Sequence, residues 1–113
     1  MRHVLVKKKN TAYLCVEVKE NKRIKKIQLA RVHGWKAKLA YEFFNFEANE
    51  WNDEVARAFI GLNALRVAKD EWEARKFIKV VKEMRKLDLH FWVDKFFREK
   101  KKADRAWRIF YEG

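Results

Sequence analysis

Glu17, Val18 and Lys19 set a carboxylate and an ammonium two positions apart, and on an extended chain that spacing turns both to one face. A carboxylate is a metal ligand in general, but alternation of charge on an exposed strand accounts for this pair equally well. Residues 1–16 contain no Asp or Glu to supply a second ligand ahead of it. His3, His33 and His90 are scattered over strand, boundary and helix patterns without metal-ligand spacing, and none is assigned a catalytic role. Cys15 has no second Cys to pair with and no nearby His to activate it, which reads as a small core or sheet residue. The chain has no Ser for a nucleophile and three Gly too far apart for a phosphate-cradling loop. The expectation is a non-enzyme with no cofactor and no metal.

Cations and aromatics offer more. Arg75, Lys79, Lys82 and Lys86 fall at helical spacing along one face, where like charges four apart cost a few tenths of a kcal/mol each. A polyanion could offset that cost; a solvated face, partly neutralised by Glu71, is the plain alternative. Toward the C-terminus Lys95, Phe97 and Arg98 lead into Lys100, Lys101 and Lys102, followed by Arg105, Arg108 and Tyr111. Cations that track phosphates, interleaved with rings that stack on bases, are the mixture that holds single strands. Phe96, Trp107 and Phe110 are expected inside, leaving Tyr13, Phe97 and Tyr111 as the candidate stacking rings.

Three short resemblances bear on these residues. Glu17-Val18-Lys19, after the apolar run Tyr13 to Val16, resembles the Glu-x-Lys strand of the PD-(D/E)xK nucleases, which would imply Mg²⁺ on Glu17 and a charge-stabilising role for Lys19. That family also uses an acidic ligand ahead of this strand, which is missing here. Val93, Phe96 and Phe97, with His90 where Gln is usual, resemble a sliding-clamp-binding peptide, but they fall inside an amphipathic helix that needs them for its core. Residues 3–32 are loosely similar to β-meanders that accompany some transposase-like and mobile-element proteins, which implies DNA as a partner.

The elements that would position these groups follow from periodicity. Val4, Val6, Leu14, Val16, Ile27 and Leu29 recur at period two, with breaks at Lys9-Asn10-Thr11 and at Asn21-Lys22, which predicts a three-stranded antiparallel meander. A two-residue second turn sets Val16 opposite Ile27, Leu14 opposite Leu29 and Glu17 opposite Lys26; a three-residue first loop sets Val6 opposite Leu14 and Val4 opposite Val16. The outer face then carries Lys7, Tyr13, Glu17, Lys19, Lys26 and Gln28, with Lys8 and Lys9 beside it and Lys22 and Arg23 at the second turn. After Gly34 the period becomes helical. Trp35, Leu39, Phe43 and Phe46 make one stripe, Val55, Phe59, Leu62 and Leu65 a second, and Ala74, Phe77, Ile78, Val81 and Met84 a third. Asn52 or Asp53 opens the second helix, Asp70 with Glu73 caps the third, and Asp88 opens a fourth with Leu89, Trp92, Val93 and Phe96 inward. A fifth carries Ala103, Ala106, Trp107 and Phe110. The expected fold is α+β, a small N-terminal three-stranded meander packed against about five α-helices in a single domain over 1–113.

Charge divides that domain into three. Of the net +12, residues 1–33 carry ten Lys or Arg against two Glu, residues 34–94 eleven against eleven, and residues 95–113 seven against three. Confining the excess to the two ends points to a polyanion held by those ends. No Pro, few Gly and a high Lys and Glu content resemble proteins that work at high temperature, and a thermophilic, archaeal cytoplasm is the expected setting. No stretch is apolar enough for a membrane span, Met1-Arg2-His3 runs directly into a strand pattern rather than a signal peptide, and no membrane partner is expected. The leading function is non-catalytic nucleic-acid binding, DNA ahead of RNA; the alternative is a small protein whose basic ends dock an acidic protein partner, and the third is a Mg²⁺-dependent nuclease.

Overall fold

Alternating apolar and polar residues at the N-terminal end fold as strands β1 (Arg2–Lys8), β2 (Thr11–Glu20) and β3 (Arg23–His33), in a computed structural model that describes residues 2–44 and 47–99, with side chains through Phe96. A two-residue strand β4 (Glu47–Ala48) adds to the free edge of β1, giving an antiparallel sheet in the order β3-β2-β1-β4. The second hairpin closes as expected on Asn21 and Lys22, both left-handed (φ 48° and 65°), as a type I′ turn requires. Val16 lies opposite Ile27 and Glu17 opposite Lys26. Further along, Leu14 pairs with Ala30 and Cys15 with Gln28, so Leu29 is the extra residue of a β-bulge and is not the partner of Leu14. The bulge lets Leu29 and Ala30, adjacent in sequence, both be buried.

The first hairpin departs from the expected register. It closes on Lys9 and Asn10 alone, with Lys9 at φ 55°, one residue shorter than a Lys9-Asn10-Thr11 loop. A one-residue change of register reverses every side chain on the strand. His3 and Leu5 therefore lie with Val16 and Leu14 on the helix side and are buried, whereas Val4 and Val6 lie with Cys15 and Tyr13 on the opposite side.

Gly34, with φ 64°, ends the sheet, and its N–H donates to Asn10 O at 2.7 Å, tying the first hairpin to the start of helix α1 (Trp35–Phe43). Helices α2 (Asp53–Val67), α3 (Glu71–Glu83) and α4 (Lys86–Glu99) follow. Asn52 Oδ1 accepts from Val55 N and Asp70 Oδ1 from Glu73 N, the two caps legible in the sequence. α1 and α2 pack on the sheet, and α3 and α4 pack on α2. This makes α2 the centre. Besides the expected Val55, Phe59, Leu62 and Leu65, it buries Ala56, Ala58, Ile60, Gly61 and Asn63, as a helix surrounded on all sides must. Gly61 is required by packing, because a Cβ there would fall inside the van der Waals envelope of the Phe44 ring.

α3 ends at Glu83, with Met84 extended (ψ 137°), and α4 starts at Lys86 rather than at Asp88. Arg57 Nη2 donates to the Met84 carbonyl at 3.1 Å, satisfying an acceptor at this break. Leu89 and Val93 are buried and Trp92 and Phe96 half-buried, as expected; Trp35, expected inward, is 42% exposed. Phe46 and the fifth helix fall outside the described residues. The class is α+β, and among the described residues no helix is long and apolar enough to cross a membrane.

Candidate nucleic-acid interface

Strand alternation assigns the sheet face away from the helices. Across it run Val4, Cys15 and Gln28; Val6, Tyr13 and Arg31; Arg2, Glu17 and Lys26. The centre of this face is apolar, with Val4, Val6 and Tyr13 half-buried and Cys15 buried, while Lys8, Lys19, Lys26 and Arg31 stand exposed around it. Burial pushes the Cys15 thiol above its ordinary range, with nearby Lys26 opposing only in part. That favours an inert thiol. Tyr13 is therefore on the expected side, but as a half-buried ring.

The acids on this face are spoken for. Glu17 accepts from Arg2 Nη1 at 3.1 and 3.2 Å and lies 3.8 Å from Lys26 Nζ; Arg2 Nε donates to Glu47 at 2.8 Å. These hydrogen bonds raise the Arg2 pKa and lower that of Glu47. Glu17 and Lys19 do share a face, but the neighbours of Glu17 are cations. Among the described residues no group of three His, Cys, Asp or Glu is arranged to hold a metal ion.

Among the described residues β1 reaches as far as Arg2, opposite Glu17, and the pairs Val18–Lys25, Lys19–Ile24 and Glu20–Arg23 beyond it are made by β2 and β3 as a two-stranded ribbon. Lys19, Lys22 and Arg23 are exposed there and make no ion pair with a described residue; Lys25 is paired with Glu20 at 3.1 Å. Ile24, 67% exposed, sits beside Lys19 across the ribbon. The sequence pattern placed Lys19, Lys22, Arg23 and Lys26 correctly on this hairpin. It missed Lys25, which lies on the ribbon's other side, and Arg31, whose pairing with Tyr13 appears only once the Leu29 bulge is counted.

Lys7 is corrected. The shorter first turn pairs it with Ala12 on the helix side, where its Nζ lies 5.8 Å from the Tyr41 ring centroid, far from the outer face it was expected to share with Tyr13. Lys8 is on the outer face, and Lys9 is at the turn.

The expected four-cation stripe is also broken. Lys86 belongs to α4 because α3 stops at Glu83. Arg75 is held by Glu71 at 3.1 Å and Glu42 at 3.6 Å, and it and Lys82 lie over the Phe43 ring at 5.8 and 5.4 Å. Only Lys79 stands on α3 as a plain solvated cation of the set. Phe97 and Arg98 lie in α4, but their side chains fall outside the description, as do Lys100, Lys101, Lys102, Arg105, Arg108 and Tyr111 altogether. Comparison with known proteins finds no matching family model, curated protein or solved structure.

Proposed function

We propose that this protein binds nucleic acid without catalysis, duplex DNA foremost, through the β2–β3 ribbon and the basic rim of the outer sheet face. The observation that carries this reading is the two-stranded ribbon bearing Lys19, Lys22 and Arg23 exposed and unpaired by described acids. The major groove of B-DNA, about 12 Å wide, admits a ribbon of two strands, while the A-form RNA major groove is too narrow and deep. Lys and Arg along such a ribbon meet phosphates on the groove walls, and Ile24 at its edge can contact a thymine methyl. Fluorescence anisotropy against single- and double-stranded DNA and RNA tests it. Duplex DNA binds most tightly, with log K falling by about 0.9 per neutralised phosphate for each unit rise in log salt. Absence of binding at low salt, or binding insensitive to salt, sinks the reading.

Docking to an acidic protein is the second reading, favoured by exposed Trp72, Leu87 and Phe91 on α3 and α4, with Lys76 Nζ lying 5.1 Å from the Trp72 ring centroid. It requires polyglutamate to bind as tightly as DNA in the same titration, and to lose affinity on substitution of Trp72 or Phe91.

A further inference from the structure

A cleft of about 490 Å³ lies where the first hairpin turn meets the start of α1, lined by Lys7, Lys9, Asn10, Trp35, Lys38 and Tyr41, together with Gly34 and Ala37. Its size falls within the range of small-ligand clefts, about 300–1,000 Å³. Three of its lining residues are lysines and none is a carboxylate. None of the three makes an ion pair with a described residue, although gathering like charges around one hollow is unfavourable until an anion enters. The first turn of α1 contains no acidic side chain and its cap no side-chain acceptor, so its backbone N–H groups add to the positive potential at the same place.

Trp35 supplies the second half of the chemistry. Its indole is 42% exposed although it stands beside a buried Ala37 and Leu39, and Lys36 holds it from one side. Lys36 Nζ donates to Arg66 O at 2.8 Å and lies 5.5 Å from the indole centroid, so the ring is braced by a side chain that is itself anchored. A braced, accessible aromatic plane beside a cluster of ammonium groups suits a ligand with a flat ring and a phosphate. Tyr41 lines the same cleft, adding a second ring to its wall.

We infer that this cleft is a binding site for a nucleoside phosphate, its base against Trp35 and its phosphate among Lys7, Lys9 and Lys38. The source is either a free nucleotide or the 5′-terminal unit of a strand, and the shared chemistry is a ring joined to a phosphate monoester. The site is separate from the ribbon and stands without it.

The chain has five Trp, so the Trp35 indole N–H signal is assigned in the NMR spectrum by its loss in Trp35→Leu. The full chain is then titrated with adenosine monophosphate, adenosine and inorganic phosphate, and with a short thymidine strand bearing either a 5′-phosphate or a 5′-hydroxyl. The monophosphate or the 5′-phosphorylated strand shifts Trp35, and adenosine and phosphate alone each bind about tenfold more weakly than the better of these. By isothermal titration calorimetry, which does not need the Trp35 signal, Lys38→Gln and Trp35→Leu each weaken that ligand about fivefold or more, with folding checked by circular dichroism; both residues are at the surface. A preference of about tenfold for one of the two ligands names the source. The inference is overturned if neither shifts Trp35, or if the two substitutions leave a folded protein with unchanged affinity. Charge reversal on the ribbon separates the two sites: it leaves monophosphate binding intact even where it abolishes duplex binding, and a loss of both would also overturn the cleft.

Discussion

His3 is the residue on which pH acts most directly. It is fully buried on the helix side of β1, with its ring edge-on to Trp51 at a centroid distance of 5.9 Å. Burial lowers its pKa below the ordinary value near 6.5, and a backbone hydrogen bond involving Ala48 opposes this only in part. Once the pH drops under about 6.5 the unfolded chain takes up a proton that the folded chain refuses, so stability is full above that value and declines as the pH falls through the lowered folded pKa. The slope from one such group is at most about 1.4 kcal/mol per pH unit. His3→Phe should flatten the decline between about pH 7.5 and 5.5 in urea midpoints relative to the parent, and an unchanged difference would remove His3 from the account. Gly61 is the second sensitive position. Alanine gains up to about 1 kcal/mol of helix propensity, but its Cβ forces the Phe44 ring to move in a sealed core, so Gly61→Ala should lose about 1–2 kcal/mol net by denaturant titration.

At the scale of elements, the β2–β3 hairpin makes the sharpest claim. Lys19, Lys22 and Arg23 make no ion pair with a described acid, so changing all three to Glu replaces attraction for phosphate with repulsion. Affinity for duplex DNA should drop more than tenfold, about 1.4 kcal/mol or more, while stability falls only by the cost of a Glu opposite Glu20, about 0.2–1 kcal/mol. The same exchange of Arg75, Lys79 and Lys82 should alter binding far less and stability more, because Arg75 and Lys82 lie over Phe43 and Arg75 is paired with acids. The elements themselves were largely legible: Asn52 and Asp70 cap where small polar residues precede apolar stripes, and Asn21-Lys22 turns where the alternation breaks. What escaped reading was register. Lys9-Asn10-Thr11 can close as two residues or three, and both choices leave a plausible apolar face on β1, one with Val4 and Val6 and one with His3 and Leu5. Tertiary packing chose the second, moving Lys7 into the Trp35 cleft. β4 is two residues long and carries no periodicity, and the Leu29 bulge hides inside a regular pattern. Of the site, the ribbon cations could be found from sequence, whereas the cleft is assembled from a hairpin turn and a helix start that only folding brings together.

The whole molecule carries +12, and that surplus sets two responses with opposite signs. Repulsion among unpaired cations opposes compaction, so raising NaCl from about 20 to about 500 mM should raise the thermal midpoint of the free protein. The same salt should release bound DNA and remove the stabilisation that a bound polyanion provides. Calorimetry with and without duplex would show the two midpoints converging; a midpoint indifferent to salt in the free protein would mean that the ends do not repel. One thiol ties these scales together. Cys15 is buried in β2, which has a strand on either side, and it is the chain's single cysteine. Its side chain lies on the outer sheet face, covered there by neighbouring side chains rather than by the helices. A thiol reagent reaches it as that cover moves, so its modification works as an internal clock for exposure of the face. The clock should slow down when duplex DNA covers that face, and a rate unchanged by bound DNA would place the duplex elsewhere. It would thereby record, from one sulfur atom, how far across the sheet the contact of an occupied ribbon extends.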